Sequence, residues 1–130
     1  MSNKNEKIIT IKKCKSFNVQ IWCGLRIGYF GHTFDIEKAK IICEDFVDSK
    51  KECVTITPTT YCYVKSNEPG FVVGFIRYPR FINSKKEIVK RALELAEKLM
   101  LGLKQNRVTI TTPKESIMLE NDGIQKTNKK

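Results

Sequence analysis

The sequence predicts an α+β domain: a mostly antiparallel sheet with two helices on one face. Two long stretches place apolar residues at helical spacing. Shorter runs alternate apolar and polar residues between turn formers, and hairpin connections dominate. The expected element order is β-α-β-β-β-α-β-β. Ile8, Ile9 and Ile11 suggest a short N-terminal strand before this series. Val19, Ile21 and Cys23 alternate with Gln20 and Trp22, so residues 19–23 read as the first full strand. Three of the seven glycines fall in the eight residues from Gly24 to Gly31, which marks a loop with unusual backbone angles or close ligand approach.

Thr33 or Asp35 can cap a helix over residues 36–49, with Ile36, Ala39, Cys43, Phe46 and Val47 on one side. Residues 53–57 and 59–64 read as two strands, because Pro58 between them cannot donate to a ladder. Residues 66–70 read as a turn. Residues 71–76 are apolar on both faces and read as a central strand, in a hairpin with the preceding one. Ser84 and Glu87 form a capping-box pattern that opens a helix over residues 85–104. Residues 107–111 and 116–120 complete the sheet. One domain spans residues 1–130, with a folded core at about 16–120 and polar, flexible ends at 1–6 and 121–130.

The second helix carries Ile88, Ala92, Leu95, Leu99 and Leu103 on one stripe, widened by Val89, Leu93, Ala96 and Met100. This exceeds the roughly 100° stripe of a half-buried helix, so a second copy of the chain is expected to cover the excess. A homo-oligomer, a dimer or an assembly of dimers, follows.

The net charge of +10 first suggests nucleic acid. Residues 1–15 and 121–130 hold six of those charges, so the folded part is only mildly basic. No run approaches the roughly 20 apolar residues of a membrane span, and the lysine-rich N-terminus lacks a secretory pattern. A cytoplasmic protein with reduced cysteines is expected. The five cysteines form no C-x-x-C and His32 is the single histidine, so no metal site is expected.

Catalytic patterns are scarce. There is no G-x-S-x-G and no Walker loop, and Gly24, Gly28 and Gly31 have the wrong spacing for a dinucleotide fingerprint. His32-Thr33 matches half of a two-histidine phosphoesterase, which needs a second histidine. A protein that is not an enzyme, without a cofactor, is the expectation.

Recognition chemistry is present. Arg26 accompanies Tyr29 and Phe30 in the glycine loop. Arg77, Tyr78, Arg80, Phe81 and Asn83 precede the second helix, and Arg107 with Gln105 and Asn106 follows it. Arginine pairs with phosphate bidentately, and an aromatic ring or guanidinium stacks on a base. The set favours a small phosphorylated ligand over long nucleic acid. A small basic nucleic-acid-binding regulatory protein is the alternative.

The ordered motifs Gly24-Leu25-Arg26-x-Gly28-Tyr29-x-Gly31, Val54-Thr55-Ile56-Thr57-Pro58-Thr59, Glu68-Pro69-Gly70, Tyr78-Pro79-Arg80-Phe81 and Gln105-x-Arg107-Val108 resemble the first described family of phage Thoeris anti-defence proteins. The resemblance covers roughly residues 18–120. It implies a non-enzymatic sponge that sequesters cyclic ADP-ribose isomers or related cyclic nucleotides in the cytoplasm of an infected bacterial host. It also implies a homo-oligomer with pockets between protomers, and assigns Arg26, Tyr29, Arg80, Phe81 and Arg107 to the ligand. Arg77 stands where the family pattern has a neutral polar residue.

Overall fold

The computed structural model describes residues 7–28 and 31–121. In chain order its elements are β1 (Val19–Gly24), α1 (Ile36–Lys50), β2 (Val54–Tyr63), β3 (Ser66–Phe75), α2 (Lys85–Gly102), β4 (Arg107–Thr111) and β5 (Ser116–Glu120). The five strands form one sheet in the order β2-β3-β1-β4-β5, antiparallel throughout. The helices pack on one face: α2 against β1 and β4, and α1 against α2 and β2. The fold is α+β, as the sequence predicts.

The core follows from strand alternation. Val19, Ile21, Cys23, Phe71, Val73, Phe75, Val108 and Ile110 point toward the helices and are buried. Ala39, Cys43 and Phe46 of α1, and Ile88, Ala92, Leu95 and Leu99 of α2, meet them. Asp35 caps α1 by accepting a hydrogen bond from the Glu37 N–H (3.0 Å). Ser84 Oγ caps α2 by accepting from the Glu87 N–H (3.1 Å). Glu87 does not complete the box, because its carboxylate accepts from Arg91 Nε (3.1 Å).

Four expectations are corrected. Residues 53–57 and 59–64 are not two strands: β2 runs through Pro58, so the order is β-α-β-β-α-β-β. β2 lies at the sheet edge, where alternate N–H groups face solvent and a proline removes no ladder bond. Residues 66–70 are not a turn. The hairpin turns at Val64-Lys65, where Lys65 takes φ 58°, and β3 begins at Ser66. The Pro69 carbonyl accepts from the Leu25 N–H (3.2 Å), on the side away from β2, so its missing N–H costs that pairing nothing. No strand forms at residues 8–11, and Ile8, Ile9 and Ile11 are exposed.

The fourth correction concerns the width of the α2 stripe. Ala96 and Met100 are buried by the chain itself, because the sheet and α1 flank α2 on adjoining arcs. Only Val89, Leu93 and Leu101 remain partly or largely exposed. The Asn121 N–H donates to the Asn106 carbonyl (2.9 Å), which ties down the first residue of the expected flexible end. The rest of both ends lies outside the described residues. Among the described residues, no helix is long and apolar enough to cross a membrane.

Candidate functional site

Gly24 of β1 and Gly70 of β3 pair across the sheet. Their neighbours Cys23 and Phe71 point into the core, so the two glycines open onto the helix-free face. Together they make a floor, a stretch of sheet without side chains, which the Gln105 amide and the Tyr61 ring cover. A Cβ at Gly24 would lie 2.9 Å from Gln105 Oε1 and 3.8 Å from Glu68 Oε2, so both oxygens stand close over the floor. A Cβ at Gly70 would lie 2.7 Å from the Cys23 carbonyl and collide with the Tyr61 ring.

Gln105 is only 8% exposed. Its Nε2 donates to the carbonyls of Arg26 (3.0 Å) and Leu103 (2.9 Å). Both amide protons are thereby used, so the other atom over Gly24 is the oxygen, a fixed acceptor. The neighbouring Asn106 Oδ1 is buried without a partner. Around these groups lies a hollow of about 440 Å³, lined by Arg26, Gly28, Tyr63, Glu68, Gln105, Asn106 and Arg107.

The loop after β1 holds Arg26 in place. The Ile27 N–H donates to the His32 carbonyl (2.9 Å) and the Phe34 N–H to the Leu25 carbonyl (2.8 Å). Gly28 supplies the positive φ of 62° that this turn needs. Arg26 Nη2 donates to the Asn67 carbonyl (3.4 Å), and Arg107 Nε pairs with Glu120 (2.9 Å). Each guanidinium keeps further donors for a ligand.

Among the described residues, Glu68 is the one ordinary base at this floor, and no cysteine, serine or histidine lines the hollow. Burial, with Cys23 and Glu68 nearby, pushes the Tyr61 hydroxyl up to about 12, so it stays neutral at physiological pH. Beneath the floor, burial pushes the Cys23 thiol up to about 12, and it pushes Cys43 up to about 11. Cys53 and Cys62 are exposed. At pH 8, iodoacetamide is expected to modify Cys53 and Cys62 in the native protein and to spare Cys23 and Cys43 until denaturant is added; peptide mass mapping reads this out. The sign of the linked stability follows. Above pH 9 these two thiols ionise in the unfolded chain and not in the folded one, so stability falls as pH rises past 9.

The predicted site residues divide. Arg26 and Arg107 meet at the Gly24–Gly70 end. Arg77, Tyr78, Phe81 and Asn83 line a different hollow, of about 410 Å³, with Cys53 and Arg91. That hollow sits past the other end of β3. Nine residues of nearly extended chain, roughly 30 Å, separate Glu68 from Arg77. One small ligand cannot touch both groups within one chain. Arg77 also has structural partners: Nε donates to the Asn83 carbonyl (3.1 Å) and Nη1 to that of Lys15 (3.3 Å). Arg80 lies over the exposed Phe81 ring at 5.4 Å and lines neither hollow. Tyr29 lies outside the described residues. The sequence reading missed Glu68 and Tyr63, and it named Gln105 and Asn106 only as hydrogen-bonding groups.

No protein-family model matches the sequence, and no curated protein matches it. Two solved structures share the fold. A phage SAM lyase in complex with S-methyl-5'-thioadenosine superimposes with a TM-score of 0.66 at 14% identity, over 89% of this chain and 98% of that one. A phage SAM lyase in the apo state gives a TM-score of 0.60 at 16% identity, over 82% and 90% of the two chains. These matches overturn the expectation that the chain is not an enzyme: an enzyme is built on this fold at nearly this length. The scarcity of catalytic motifs is therefore no sign against turnover.

Proposed function

We propose that the chain cleaves a sulfonium nucleoside of the S-adenosylmethionine type and releases S-methyl-5'-thioadenosine. One observation carries this reading. Among the described residues one carboxylate, Glu68, stands with the fixed acceptor Gln105 Oε1 over Gly24, and Arg26 and Arg107 line the same hollow. That arrangement suits a ligand with cationic groups and a carboxylate on one short chain. S-adenosylmethionine carries a sulfonium, an α-ammonium and an α-carboxylate. The phage lyase of the same fold is complexed with S-methyl-5'-thioadenosine, which keeps the adenosyl and methyl groups of that sulfonium. The bond lost would be the one from sulfur to the amino-acid chain.

This intramolecular displacement needs no protein nucleophile. One α-carboxylate oxygen of the substrate attacks the carbon next to sulfur. A C–O bond closes a five-membered lactone, the S–C bond breaks, and its electron pair returns to sulfur as a neutral thioether. No proton moves. Glu68 and Gln105 would hold the α-ammonium so that the carboxylate folds back onto the reacting carbon. Arg26 and Arg107 draw the carboxylate end inward, and Tyr63 offers a face to the adenine. Opposite charges cancel as the ring closes, so shielding from water favours the step.

A cyclic ADP-ribose isomer would also find the two arginines, but it would carry its pyrophosphate toward Glu68. The sulfonium reading avoids that conflict. We place the activity in the cytoplasm of an infected bacterial host, because the lyase of the same fold is a phage protein.

Chromatography tests this reading. Purified chain is incubated separately with S-adenosylmethionine and with a cyclic ADP-ribose isomer, then quenched in cold acid beside protein-free controls. S-methyl-5'-thioadenosine above the control is expected from the first, and no retention of the second. Unchanged S-adenosylmethionine together with intact retained cyclic ADP-ribose would overturn it.

A further inference from the structure

Residues 7–13 read Lys-Ile-Ile-Thr-Ile-Lys-Lys. Four consecutive β-branched residues favour an extended strand over a helix. Yet the segment pairs with nothing regular, and Ile8, Ile9 and Ile11 are 75%, 82% and 80% exposed. Three large aliphatic side chains this bare on one short segment mark an interaction surface.

The fold offers a matching acceptor. β5 is the other edge of the sheet and pairs only with β4, so its outer N–H and C=O groups are available to another strand. Beside it, two hollows of about 440 Å³ and 430 Å³ share Lys90 and Leu93 and form one groove along α2. The groove is apolar at Val89, Leu93, Leu101 and Leu119, the same α2 arc that the chain leaves incompletely covered. At its Leu101 end, Glu94, Glu97 and Glu120 outnumber Lys90, whereas the other end carries Lys85, Lys86 and Lys114 against Glu115. The isoleucine segment ends on Lys12 and Lys13, and that end complements the acidic end of the groove.

We propose that residues 7–13 of one copy add as a sixth strand along β5 of a second copy. Strand alternation then puts Ile9 and Ile11 in phase with Ile117 and Leu119, facing the α2 groove. A chain's own segment cannot do this. Cys14 Sγ donates to the Arg77 carbonyl (3.6 Å), and the Lys15 carbonyl accepts from Arg77, so the segment leaves beside the end of β3. β5 lies three strand spacings away, roughly 14 Å, and crossing would consume about four residues of extended chain. Ile11 would be spent in the crossing. Reciprocal exchange between two copies closes the arrangement.

Carbodiimide crosslinking of co-refolded light and ¹⁵N-labelled full-length chain tests this. Links between Lys12 or Lys13 and Glu97 or Glu120 that join light to heavy peptides are expected. Sedimentation is expected to give the mass of at least two chains for the natural sequence and of one chain for the Ile9→Lys, Ile11→Lys double variant. Both substitutions are at positions exposed within one chain, so the variant should keep the fold, read as an unchanged far-UV circular dichroism spectrum, while its melt loses whatever association added. Links confined within one isotope, a monomeric natural chain, or an unchanged mass in the double variant would overturn the proposal.

Discussion

Glu68→Gln is expected to lower kcat/KM for S-adenosylmethionine by about 30-fold or more, equivalent to ~2 kcal/mol of lost interaction with a buried cation. Among the described residues Glu68 is the only carboxylate lining the hollow with Arg26 and Arg107, and its Oε2 stands near Gln105 Oε1 over Gly24. The amide keeps the shape and loses the charge. Among the described residues its side chain makes no hydrogen bond that braces the fold, so the melting temperature should stay near that of the natural chain. A steady-state assay of S-methyl-5'-thioadenosine release, paired with a thermal melt, checks both parts. Equal kcat/KM in the two proteins would remove Glu68 from the site.

Gly70→Ala has the larger structural consequence. The added Cβ would sit 2.7 Å from the Cys23 carbonyl, which is backbone in the paired strand and cannot turn aside. The Tyr61 ring would also have to leave its place over the floor. Overpacking of this kind costs roughly 1–3 kcal/mol, or about 5–10 °C in Tm for a domain of this size. Activity should fall along with it, because the stretch of β3 that must shift carries Glu68. Gly74→Ala is the control. Its Cβ would meet Thr55 Oγ1 at 2.6 Å, and a hydroxyl on an edge strand can rotate away. Gly74 lies six residues beyond Glu68 on β3, toward the end away from the hollow. A melt and an assay on both variants should separate them clearly.

Much of the fold was legible because its signals are local. Asp35 before α1, Ser84 before α2, the alternation at Val19–Cys23 and the helical spacing of Leu95, Leu99 and Leu103 each act within a turn or two. The misreadings fell where a neighbouring strand decides the outcome. Pro58 is tolerated because β2 is an edge, and Pro69 because its side of β3 faces the end of β1. Neither fact is written in the residues beside them.

The site was half legible for the same reason. Arg26 and Arg107 stood out as arginines at loop and strand ends, and the structure brings them together. Arg77, Tyr78 and Phe81 looked alike in sequence but belong to the opposite end of β3. Glu68 was hidden once its segment read as a turn, because a turn residue has no assigned face. Knowing that β3 begins at Ser66 would have placed Glu68 on the same side as Gly70. A reaction whose nucleophile belongs to the substrate leaves no nucleophile motif in the protein, so the proposed chemistry could not be read from a triad or a metal pattern.

The proposed turnover is an intramolecular displacement, in which the substrate's own carboxylate expels the thioether. A time course with about a hundredfold excess of S-adenosylmethionine in ¹⁸O-water tests it most directly, with the products read by mass spectrometry and Glu68→Gln alongside. The account predicts many equivalents of S-methyl-5'-thioadenosine per chain and no ¹⁸O on the oxygen bonded to the former sulfur-bearing carbon. Release no faster than in protein-free buffer, or ¹⁸O at that oxygen, would contradict it.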